Sequence, residues 1–149
     1  MKSTLTILLL GLLLCGCSKK RATNDYPKES LAFAGYASPD SALETWCWAF
    51  SKGDKQVMLQ SLIPEERKKL EKELAGKTDS WIKAQAAKIS AKLTGYTIQK
   101  REVISDDDVI LHISESGRGH MTKIELKKFG SDWKLAGPGQ DDSPPNKIE

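Results

Sequence analysis

Apolar positions change their period once along this chain, near Gly95. Before it they recur every three to four residues: Leu43, Trp46, Cys47 and Phe50 fall at i, i+3, i+4 and i+7, one face of a helix. Ser38-Pro39-Asp40 supplies that helix with a capping hydroxyl, a proline suited to the first position and a carboxylate favoured by the helix dipole. Gly53 stops it, and Asp54 caps a second segment in which Val57, Met58, Leu59, Leu62 and Ile63 crowd together. Pro64 opens a third helix, acids first and lysines after, ended by Gly76. Its apolar stripe is only Leu70 and Leu74, so it is expected on the surface. The spacing of Trp81, Ile82, Ala86, Ile89 and Leu93 predicts a fourth helix over 80–93 with those side chains inward.

Beyond Gly95 the period falls to two. Strands are predicted over 96–105, 108–114, 120–129 and 133–136, joined by turns at Asp106-Asp107, Gly117-Arg118 and Gly130-Ser131. Gly117-Arg118 suits a two-residue turn with glycine first, which sets Leu111 opposite Ile124, Val109 opposite Leu126 and Ile113 opposite Thr122. One face is then consistently apolar, whereas a one-residue slip scatters it. The last turn extends the face through Leu126 opposite Leu135 and Lys128 opposite Trp133. The first turn sets Ile104 beside Val109 and directs Glu102 inward. The predicted class is α+β, with N-terminal helices packed on a curved antiparallel meander of about four strands. It spans 38–136, preceded by a polar tether over 17–37 with a reach of roughly 25 Å. The tail over 137–149, with three prolines, two glycines and one aliphatic residue, is expected to stay disordered.

The amino-terminal run is apolar from Leu5 to Leu14 apart from Thr6 and Gly11, after a positive Lys2. As a helix it would reach about 15–18 Å, too short for a hydrocarbon core of about 30 Å but proportioned like a secretory signal. Where it ends, Leu14-Cys15-Gly16-Cys17 resembles the lipobox of bacterial lipoproteins. That resemblance implies a signal peptide over 1–16, cleavage between Gly16 and Cys17, and lipid on the Cys17 sulfur with the new amino group acylated as well. Cys15 would leave with the signal; the competing frame ending at Cys15 puts bulky Leu14 in the small-residue slot. Several acyl chains at about 0.8 kcal/mol per buried CH₂ make a durable anchor. Ser18 rather than Asp after the anchor leans to the outer membrane, facing the periplasm, in a Gram-negative cell. Lys19-Lys20-Arg21 is read as the solvated start of the tether.

With 149 residues there is room for one domain plus appendages. Net charge is +3, the cations being interleaved with 20 acids, which argues against a dedicated nucleic-acid binder. No internal repeat of 20 to 50 residues is visible.

Helices followed by an antiparallel sheet, with "SPDSALETWCWAFSKGD" at the start and "FGSDWKLAG" at the end, resemble the nuclear transport factor 2-like (cystatin-like) fold, as found in small bacterial lipoproteins. The resemblance covers about two-thirds of the chain and implies a conical pocket between the helices and the concave sheet. The fold hosts isomerases, dehydratases and many ligand-binding domains, so the resemblance does not assign an activity.

Candidate chemistry is sparse. Cys47, the one thiol of the mature chain besides Cys17, lies on an apolar face without a Cys-His signature and is read as an inert buried thiol. Trp48 points about 140° from Leu43, either to pack on another helix or to present a partner surface. His112 is placed on the outer sheet face and His120 on the inner one, so the two would not share a metal ion. Asp106-Asp107-Asp108 is a hairpin turn; counted as a calcium loop it puts Leu111 and Gly117 where Gly and Glu are needed. No cofactor or metal is implied. The candidate pocket is Trp46, Phe50, Glu102, His120 and Trp133. The expected role is binding of an unidentified ligand or envelope partner without catalysis. The alternatives are an isomerase- or dehydratase-like enzyme using Glu102 and His120, joined by Glu115, as acid and base, and an oligomerising spacer that dimerises through its sheet.

Overall fold

The computed structural model describes residues 25–91, 95–115 and 121–138. Helix α1 (Pro39–Lys52) begins as its cap sequence requires. Ser38 Oγ accepts the Ser41 amide at 3.2 Å while Ser41 Oγ accepts the Ser38 amide at 3.0 Å, a reciprocal box that satisfies two donors at the helix start. Gly53 ends α1 in the left-handed conformation with φ 63°, its amide bonded to Ala49 and Phe50 carbonyls. A Cβ there would lie 2.8 Å from Lys83 Cα, so glycine also permits the approach of α4 (Asp79–Ser90). Asp54 Oδ1 caps α2 (Lys55–Gln60) at Val57 N, 3.1 Å, and Pro64 opens α3 (Pro64–Glu73). Helix α4 is capped by Thr78 and buries Ile82, Ala86 and Ser90. Trp81, expected inward, lies 42 % exposed with the Lys77 ammonium 4.9 Å above its ring, because it sits about 100° off the Ile82 face. Ile89 shares that face yet is also exposed, for a reason the site supplies below.

The sheet is a five-stranded antiparallel half-barrel in the order β1 (Asp25–Pro27), β2 (Gly95–Ser105), β3 (Asp108–Glu115), β4 (Met121–Phe129), β5 (Asp132–Pro138). The β3–β4 and β4–β5 registers agree with the apolar pattern: Leu111 faces Ile124, Val109 faces Leu126, Leu126 faces Leu135 and Lys128 faces Trp133. The Gly117-Arg118 turn itself lies outside the described residues. Register shifts between Ile98 and Lys100, Val103 and Ser105, and Glu125 and Leu126 bend the strands and curl the sheet over the helices. The outer edge of β5 is covered. Trp133 N donates to Tyr36 O at 2.8 Å, Leu135 N to Ser61 O at 2.8 Å, and Ile63 N donates to Leu135 O at 3.0 Å. These bonds leave no long open edge on that side.

Two expectations need correction. Among the described residues the sheet has five strands rather than about four, and the packed unit takes in residues 25–37 ahead of Ser38. Tyr26 is buried, and Tyr26 pairs with Tyr96 across β1 and β2. The following segment is tied to α1 by Thr45, whose Oγ1 donates to Gly35 O and accepts the Ala34 amide, both at 3.0 Å. Residues 25–37 are therefore part of the domain and not of a tether. Gly137 and Pro138, assigned to the tail, close β5. The signal segment, Gly16, Cys17 and the tail beyond Pro138 lie outside the described residues. The core is one cluster joining Leu43 of α1, Leu62, and the concave sheet residues Ile98, Val109, Leu111, Leu126, Trp133 and Leu135. No helix among the described residues is long and apolar enough to cross a membrane.

Candidate functional site

Helix α1 divides its apolar side chains by size. Ala42, Leu43, Thr45 and Ala49 are fully buried against the sheet and α4, and the small ones let the helices approach closely. Trp46, Cys47 and Phe50, one helical step round, are only half-buried and wall an open cavity of about 280 Å³. The far wall is Tyr96 and Ile113 of the sheet, and the side is the end of α4, Ile89 and Ser90. This explains the exposure of Ile89: it faces the domain interior, but the interior is hollow there. Lys28 and Leu31, from the segment after β1, form the rim. A second hollow of about 320 Å³ lies between α3 and the sheet, lined by Trp46, Leu62, Leu70, Ile124 and Leu135, with Glu66, Lys69 and Glu73 beside it. Trp46 lines both, and its ring packs tilted against Phe50 with centroids 6.3 Å apart.

The first cavity is largely apolar. Burial, reinforced by the nearby Glu44 carboxylate, pushes the Cys47 thiol up to about 12, so it is a neutral, unreactive wall atom at ordinary pH. Burial raises the Tyr96 phenol too, helped by Cys47 beside it. The Tyr96 hydroxyl is enclosed and has no hydrogen-bond partner among the described residues. Among the described residues Lys28 is the one charged residue of the lining; its Nζ donates to the Ser90 carbonyl, which caps the end of α4. A carbonyl does not neutralise an ammonium, and no carboxylate among the described residues is paired with Lys28.

The five residues expected to share a pocket are only partly brought together. Trp46 and Phe50 line the cavity. Trp133 does not: it is 8 % exposed and filled into the core between α1 and β5. Glu102, expected inward, faces outward. The register shift between Val103 and Ser105 puts one extra residue into β2 next to the turn, so Arg101 sits opposite Leu111 on the concave face and Glu102 opposite Ile110, and the second shift, between Ile98 and Lys100, returns Ile98 to the position opposite Ile113. Arg101 there donates to Asp40 at the start of α1, through Nε at 3.2 Å to Oδ1 and through Nη2 to Oδ2. Glu102 instead meets His112 Nε2 at 3.1 Å and Lys100 Nζ at 3.4 Å, and these partners hold its carboxyl below the usual range. His112 is on the outer face, as the alternation requires. His120 lies outside the described residues, as does the side chain of Glu115. Ile104, expected beside Val109, gives way to Val103 at that position, and both β2 residues remain exposed at the hairpin end.

Trp48 is half-buried and borders a shallow surface hollow that it shares with Asp79 and Lys83 of α4. Its ring meets Phe33 edge-on, centroids 5.9 Å apart and planes at 81°, and Phe33 is itself 54 % exposed. The segment taken for a tether thus supplies the cover. Sequence reasoning missed Lys28, Leu31 and Tyr96 as site residues. The alternation of Tyr96 with Ile98 carried the inward signal for the tyrosine; nothing local marked Lys28 or Leu31. Among the described residues no cluster of three or more potential metal ligands occurs. No family model matches the chain, and no curated protein or solved structure matches it either.

Proposed function

We propose that this is a lipid-anchored protein of the bacterial envelope, held by Cys17, whose domain of nuclear transport factor 2-like type binds a small ligand without turning it over. The observation that carries the binding reading is the open, apolar cavity of about 280 Å³ walled by Trp46, Cys47 and Phe50. Protein interiors are packed to near crystal density, and a hollow of this size next to a well-filled core is a feature that ligand sites share. The lining supports binding over catalysis: Cys47 is held as a neutral thiol, and Glu102, the carboxylate required by the acid–base alternative, lies on the opposite face of the sheet. The reading is tested with N-phenyl-1-naphthylamine, a neutral apolar dye, added to the full chain. Its fluorescence should rise on binding, and Ile113→Phe, which fills the cavity, should suppress the rise; equal enhancement in the filled variant would refute it. The anchor is tested separately. Cys17→Ser should abolish lipid incorporation and give an unprocessed or soluble form, and membrane attachment that survives the substitution would count against it.

A further inference from the structure

We infer that the cavity takes a single-chain carboxylate amphiphile, its chain between Trp46 and Ile113 and its carboxylate at Lys28. This rests on the binding reading above and names the ligand class for the same site. Three observations lead to it. The walls contributed by Trp46, Phe50, Ile89 and Ile113 are apolar, so the body of the ligand is apolar. The volume, about 280 Å³, falls just below the usual span of ligand pockets, about 300–1,000 Å³, which suits one short chain and not a two-chain lipid. Among the described residues the only charge in the lining is the Lys28 ammonium at the rim, held toward the cavity by its bond to the Ser90 carbonyl and unmatched by a carboxylate of those residues. An ammonium donates three hydrogen bonds and Ser90 uses one, so two remain for a ligand. A monoanion balances this single charge, whereas a dianionic phosphate would be left half-compensated. A neutral amphiphile would forgo the charge-assisted bond, and a cationic one would be repelled.

The test compares decanoate with decanol by titration calorimetry on the full chain in phospholipid nanodiscs, with empty nanodiscs as the blank. Decanoate is expected to bind about tenfold more tightly than decanol, and Lys28→Met, which keeps the stem and removes the charge, to erase that preference while the decanol affinity stays. Equal affinity for the two ligands, or a preference unchanged in Lys28→Met, overturns the inference and leaves the cavity reading standing. Binding of N-phenyl-1-naphthylamine without binding of decanoate also overturns the inference alone. Failure of all three probes overturns both.

Discussion

Tyr26 lies flat on Tyr96, ring centroids 4.7 Å apart and planes within 8° of parallel, so the first described strand is held to the sheet by a buried aromatic pair as well as by its ladder. Tyr26 also reaches Asp40 at the start of α1, its hydroxyl donating to Oδ2 at 3.4 Å. Removing that ring should destabilise the whole domain. Tyr26→Ala is expected to cost about 3–5 kcal/mol, the range for losing a large aromatic from a core. Urea unfolding followed by tryptophan fluorescence measures it, and a loss below about 1 kcal/mol would show that β1 is dispensable.

Gly95 makes this pairing sterically feasible. Its φ is 115°, and a Cβ there would stand 2.4 Å from the Tyr26 carbonyl oxygen. Gly95→Ala therefore forces β1 away as well as straining the backbone, and should cost at least about 2 kcal/mol. In the double variant with Tyr26→Ala the two losses should fall short of additivity, because both act through the same contact.

Thr45 is 0 % exposed and its hydroxyl closes a bridge to the 34–35 backbone. Thr45→Val keeps the shape and strands one amide and one carbonyl. We expect a loss of about 1–3 kcal/mol, with faster hydrogen exchange at Ala34 as the local signature. Retained protection at Ala34 would argue against the bridge.

Cys47 should make the domain alkali-sensitive. Its folded pKa, about 12, lies above the ordinary 9.0, so the folded state holds the proton that the unfolded chain gives up. The sign follows: this contribution to stability is complete below pH 9 and is lost as pH rises from 9 toward 12, at about 1.4 kcal/mol per pH unit. Cys47→Ala removes the slope. The wild-type protein should lose its advantage over the variant between pH 9 and 10.5 in denaturant titrations, and parallel curves would refute the burial. At pH 8 the raised pKa keeps the Cys47 thiolate scarce even though the side chain borders an open cavity, which predicts slow reaction with disulfide reagents in the folded protein and fast reaction in urea.

The buried Tyr96 hydroxyl gives the opposite kind of prediction. It has no hydrogen-bond partner among the described residues, so its desolvation is uncompensated. Tyr96→Phe keeps the stack on Tyr26 and should be neutral or stabilising by up to about 1 kcal/mol. A clear loss of stability would reveal a hydrogen bond.

What was legible in the sequence was local. Ser38-Pro39, Gly53-Asp54 and Pro64 mark helix ends because caps act on backbone groups within one turn, and those ends formed where their signals stand. The pairing of Leu111 with Ile124 and of Leu126 with Leu135 was legible because only one register keeps an apolar face. The lipobox-like "LLLCGC" is local as well, and the anchor proposed from it rests on the sequence alone. The tertiary structure decided everything that depends on which distant backbone lies beside which. A three-residue strand such as Asp25–Pro27 has no period of its own, so only the stack on Tyr96 makes it part of the sheet. One extra residue in β2 between Val103 and Ser105 exchanged Glu102 for Arg101 on the concave face, since side chains alternate with every residue. The cavity belongs to the same class. Apolar pattern specifies which side chains turn inward, but whether the inside is filled depends on how closely α1, α4 and the curled sheet approach. Trp46, Phe50 and Ile89 carry the same inward pattern as a filled core, and only the packing of those three elements leaves space between them.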